Sequence, residues 1–163
     1  MAVGRGHTVG GMPTITHALQ KRWLKISAVI IGSFGPVFFL GTMLATREPA
    51  RLTLDLLSWP IDGGTTFTHP DTRFLSALTG GFLTGWGVTV WLLSGEAFDH
   101  APEAVRRAVV GGIGAWFCLD SAGSIASGNG SNALFNVLVL LLAVGPLCVR
   151  ARAEIEVEQR AHG

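Results

Sequence analysis

"FLSALTGGFLTGWGVTVWLLSG", residues 74–95, contains no charged side chain. A bilayer core about 30 Å thick needs about 20 mostly apolar residues in a helix, and this stretch meets that length. It is also rich in small residues. Ala77, Gly81, Gly85 and Thr89 recur every four positions and form one face of the predicted helix, while Ser76, Gly80 and Thr84 form a neighbouring face. Lipid is as apolar as leucine, so helices inside it associate through close backbone approach, which small residues permit.

Three more stretches share this length and character: "ISAVIIGSFGPVFFLGTMLA" (26–45), "AVRRAVVGGIGAWFCLDSAGSIA" (104–126) and "ALFNVLVLLLAVGPLCV" (133–149). The expected fold is therefore all-α, a transmembrane four-helix bundle. The composition agrees. Of 163 residues 48% are hydrophobic and only 14% charged, against about 25% charged in an average soluble domain. The apolar run of the first span exceeds that of a secretory leader and follows a polar stretch, so it is read as a true span.

The bases set an expected orientation. Arg5, Lys21, Arg22 and Lys25 precede the first span, Arg106 and Arg107 join spans two and three, and Arg150, Arg152 and Arg160 follow the fourth. The long connection between spans one and two holds only Arg47, Arg51 and Arg73. Nine bases against three predict that both termini, the tails 1–22 and 150–163, lie in the cytoplasm. The outer connection, with "RLTLDLLSWP" at 51–60, interleaves Leu and Trp with Arg51 and Asp55 and reads as an interfacial segment. Trp23 and Trp91 fall near span ends, as membrane-interface anchors do. The tail from Arg150 reads as an exposed helical extension.

The third span carries glycine and alanine at 104, 108, 111, 112 and 115. Short linkage to span two predicts tight antiparallel packing of these two. The small-residue faces admit two uses: internal packing of the bundle, or docking of a partner or second copy. Pro36 and Pro146 each remove a backbone donor and predict kinks. Cys118 and Cys148 are expected at opposite membrane faces, too far apart for a disulfide, and are read as small buried apolar residues.

The polar outer end of span three, "CLDSAGSIASGNGSNALFNV" (118–137), stands out. Asp120, Ser124 and Ser127 share a helix face, and Asn132 and Asn136 do so on span four. Across a short turn, Asp120, Ser124, Asn132 and Asn136 are expected to converge, with Arg73 as ion partner of Asp120. An acid within a span is costly and faces protein or water. The group serves either to fix helix ends or as a polar vestibule for a small molecule or lipid.

Other chemistry is missing from the pattern. The five histidines are scattered and none lies mid-span, so neither zinc nor haem is expected. "GGIGAWF" follows no strand and is no dinucleotide loop. The serines have no adjacent histidine for nucleophilic catalysis. A net charge of +1 leaves no basic footprint for nucleic acid. No catalytic residue, metal or cofactor is expected.

At "PDTRF" (70–74) and "DSAGSIASG" (120–128) the chain resembles small bacterial four-helix integral membrane proteins of uncharacterised function. In these an Asp and an Arg-Phe open the second span and a Gly/Ser-rich segment closes the third. Asp120 departs from that pattern, where a base is expected. The resemblance implies architecture alone, over about 26–149; a bacterial inner membrane is the expected location. Together these readings anticipate an accessory or scaffold subunit of a larger membrane complex. Its expected partners are membrane lipids and other membrane subunits or its own copies, docked at Ala77, Gly81, Gly85 and Thr89. The alternative is small-molecule or lipid binding and transport at Asp120, Arg73, Ser124, Asn132 and Asn136.

Overall fold

The structure is a computed structural model that describes residues 16–148. Its order is α1 (His17–Leu40), α2 (Glu48–Leu57), α3 (Pro70–Leu92), α4 (Phe98–His100), α5 (Pro102–Ala126) and α6 (Gly130–Val144). Among the described residues there is no strand. Four helices are long and apolar enough to cross a membrane, as an integral membrane protein requires. Their exposed surface supports that reading: Leu92, Leu119 and Leu134 are each more than two-thirds exposed, an arrangement suited to acyl chains rather than water.

Local chemistry sets the helix ends. Thr16 caps α1, its hydroxyl accepting from the Leu19 N–H at 3.3 Å. The helix therefore begins nine residues before the predicted apolar span. Lys21, Arg22, Trp23 and Lys25 belong to α1 and not to a tail, because an apolar run marks where a helix meets lipid and not where it starts. Prolines 70 and 102 open α3 and α5, where the missing N–H has no intrahelical partner to lose. Gly128, two residues past the end of α5, has a φ of 84°, which suits a residue without Cβ. The Asn129 N–H reaches back to the Ser124 carbonyl at 2.7 Å and the Gly128 N–H to that of Ile125 at 3.1 Å, closing a Schellman turn. That turn folds α6 back along α5.

The proline expectations divide. α1 runs unbroken through Pro36. At Gly145–Pro146 the α-helix gives way to one 3-10 turn. Cys118 and Cys148 are free thiols, but both are exposed and not buried. The connection after α1 forms the amphipathic α2, which buries Ala50 and Asp55 and exposes Leu52 and Leu56. Asp55 accepts from the Gly63 N–H at 3.1 Å. The C-terminal extension beyond residue 148 lies outside the described residues.

Packing corrects one expectation. α3 does not pack tightly on α5; its close neighbour is α1. A Cβ on Gly87 would lie 2.6 Å from the Gly32 Cα, and one on Gly80 2.8 Å from the Gly35 carbonyl oxygen. One on Gly41 would meet Phe67 at 2.8 Å. Ser76 Oγ donates to the Phe38 carbonyl at 2.6 Å across the same seam. Both helices supply glycine at matching levels, so the backbones come closer than a short connection alone would bring α3 and α5.

The helices form two pairs, α1 with α3 and α5 with α6, joined at the end that carries α4. There Leu24, Ala28, Val90, Phe98, Val105, Val109, Ile113 and Leu147 make the main core. Gly95 leaves helical backbone after α3 (φ −86°, ψ −130°), which turns Phe98 inward against the His17 ring, 4.7 Å away. Lys21 pairs with Asp99, Arg106 donates to the Leu147 carbonyl at 3.0 Å, and Trp23 Nε1 donates to that of Leu142 at 2.9 Å. At the other end, Phe38, Ala50 and Phe67 form a smaller core under α2, and Ser131 Oγ donates to the Leu57 carbonyl at 2.7 Å.

Candidate functional site

Between α3 and α5 the two pairs leave a cleft of about 910 Å³. One wall is Gly81, Phe82, Gly85 and Thr89; the other is Gly112, Ala115, Leu119 and Asp120. Trp86 and Trp116 form its floor, since both also pack on the main core. Their ring centroids lie 6.1 Å apart with planes tilted by 55°, within the range favoured by aromatic pairs. A Cβ on Gly81, Gly85 or Gly112 would meet nothing within 4 Å. Of the four small residues predicted to face a partner, three line the cleft; Ala77, half-buried, does not.

Asp120 stands six residues before the end of α5, about 9 Å from that end at helical rise. It is the one charged residue in the sequence between Arg107 and Arg150. The Schellman turn brings α6 against it. Asp120 Oδ2 accepts from Asn136 Nδ2 at 2.6 Å and Asn132 Nδ2 at 3.0 Å. The second hydrogen of each amide is also used: Asn132 donates to Ser124 Oγ at 2.8 Å and Asn136 to Ser121 Oγ at 3.2 Å. Both amide nitrogens are thus fully committed. Asn136 is only 4% exposed, so its amide is a structural tie between α5 and α6. Asp120 Oδ1, in contrast, accepts from none of the described residues.

Arg73 is not the partner of Asp120, contrary to expectation. It lies three residues before Ser76 and seven before Gly80, on the α3 stripe that faces α1 and not the cleft. Its Nε is buried without a hydrogen-bond partner. The two bases on α2 are engaged elsewhere. Arg51 Nε donates to Glu48 at 2.8 Å, which raises the Arg51 pKa, and its Nη1 lies 3.9 Å from Asp55. Arg47 faces Glu48 at 3.8 Å.

The structure thus brings Asp120, Ser124, Asn132 and Asn136 together and leaves Arg73 apart. Sequence reasoning missed Ser121 and the two tryptophans. A signal existed for the latter: Trp86 directly follows Gly85, and Trp116 directly follows Ala115, so each small-residue face has an aromatic residue beside it. Among the described residues no cluster of His, Cys, Asp or Glu could hold a metal. No family model, characterised protein or solved structure matches the chain.

Proposed function

We propose that this protein is an accessory or scaffold subunit of a larger membrane complex, seated in a bacterial inner membrane with both termini cytoplasmic. The orientation rests on the nine-to-three distribution of bases. The docking role rests on one observation. α3 carries two small-residue stripes; one is filled by α1, while Gly81 and Gly85 on the other have open space where a side chain would be. Helices in lipid gain little from apolar burial alone and associate through backbone approach. An open glycine face along a cleft suits that use.

Native mass spectrometry of the chain released from its own membranes in mild detergent tests the reading. The expected result is an assembly of fixed stoichiometry that Gly85→Leu dissociates while the chain stays folded. A lone monomer, unchanged by Gly85→Leu, would contradict it. A small-molecule or lipid site is the second reading, favoured by the open oxygen of Asp120 at the cleft wall; it predicts a ligand retained by the monomer and lost with Asp120→Asn.

A further inference from the structure

We propose that the occupant of the α3–α5 cleft is a transmembrane helix of another protein, bearing a Lys or Arg that pairs with Asp120 Oδ1. This rests on the docking reading above and adds the chemistry of the partner.

The argument begins with an incomplete carboxylate. Oδ2 is saturated by two amide donors from α6, and Oδ1 has none among the described residues. An ionisable group at membrane depth is paired or faces water in nearly all cases. The described part of this chain offers no cation for it. Arg73 lies on the stripe facing α1; Arg47 and Arg51 bind the acids of α2. Lys21, Arg22, Lys25, Arg106 and Arg107 sit at the opposite end, where Lys21 pairs with Asp99, Lys25 lies over Trp91, and Arg106 and Arg107 both pair with Glu103. The same census disfavours a second copy as occupant, since each described base is paired on α2, sits at the opposite end or, for Arg73, lies on the stripe that faces α1.

The walls favour a helix over a lipid tail. Gly81, Gly85, Gly112 and Ala115 project nothing beyond Cβ, so a helix backbone can approach there, while the exposed Phe82 and Leu119 on the same walls are left to pack against its side chains. An acyl chain there would leave Oδ1 against hydrocarbon. Only one oxygen is open, so a single donor suffices, and the bidentate advantage of Arg over Lys is not available. The base would lie about 9 Å inside the α6-turn end of the cleft, the depth of Asp120 along α5.

Energy transfer between the labelled full-length chain and synthetic transmembrane peptides in phosphatidylcholine bilayers tests this. The peptides are Leu/Ala helices of about 20 residues with a glycine face, identical except for Lys, Arg or Gln near one end. Lys and Arg peptides should bind alike, and about tenfold more tightly than the Gln peptide. Asp120→Asn, which keeps an acceptor for both asparagines, should erase that preference while the chain stays folded. Gly85→Leu should abolish binding of all three. Equal binding of all peptides, still blocked by Gly85→Leu, would overturn the charge pairing and leave the docking reading standing. Binding of none to the folded chain would overturn both. With phosphatidylethanolamine added to the bilayers, its retention by the purified chain, abolished by Asp120→Asn and accompanied by no peptide preference, would overturn it in favour of a lipid site.

Discussion

The two small-residue stripes of α3 are almost indistinguishable as patterns and opposite in use. Ser76, Gly80 and Gly87 are buried against α1, and each glycine there admits the partner backbone to a distance that no side chain would allow. Gly81, Gly85 and Thr89, rotated by nearly half a turn, line an open cleft. Spacing makes a face of small residues; only a matching face on another helix turns it into an interface. α1 supplies that match through Gly32, Gly35 and Gly41. α5 carries Gly112 and Ala115 but stays apart from α3, held back by Trp86 and Trp116 between them.

The largest expected effect lies on the filled stripe. Gly87→Leu would drive its Cβ against the Gly32 backbone, 2.6 Å away. Overpacking typically costs about 1–3 kcal/mol, and backbone atoms cannot repack, so the loss should reach or exceed the top of that range in a denaturant titration in bicelles. A stability close to wild type would mean that α1 and α3 do not meet as described.

An intermediate effect is expected where α5 and α6 are joined by polar bonds instead of glycine contact. Asn136→Ala removes a buried amide that spans the pair. Interhelical hydrogen bonds in membranes contribute about 0.6 kcal/mol on average and up to about 2 kcal/mol, so a loss of about 1 kcal/mol is expected in the same titration. No loss would show that the hairpin turn alone holds α6.

The smallest effect on folding belongs to the open stripe. Gly81→Ala with Gly85→Ala adds side chains into free space and replaces two poor helix formers. Stability of the lone chain should change by less than about 0.5 kcal/mol in the destabilising direction. A larger loss would place the cleft inside the packed fold.

Much of this was readable in the residues. Four charge-poor stretches of spanning length predict four helices. The i, i+4 spacing of Asp120 with Ser124 and of Asn132 with Asn136, across a Gly-rich turn, predicts their convergence. Packing partners were less legible, because both faces of α3 satisfy the same small-residue rule. The short 96–103 connection pointed to α5, whereas the decisive information sat in the Gly32, Gly35 and Gly41 register of α1. Arg73 shows the same limit. Its place at the opening of α3 was readable from the chain, but its face depended on counting along α3 to Ser76 and Gly80 once their partner was known.

A nitroxide at Gly85→Cys, with Cys118 and Cys148 replaced by serine and the lone chain in bilayers, tests the open cleft most directly. Electron paramagnetic resonance should report a mobile label that collides freely with oxygen dissolved in the lipid. An immobilised label shielded from oxygen would mean that α5 closes over α3, and would contradict the account.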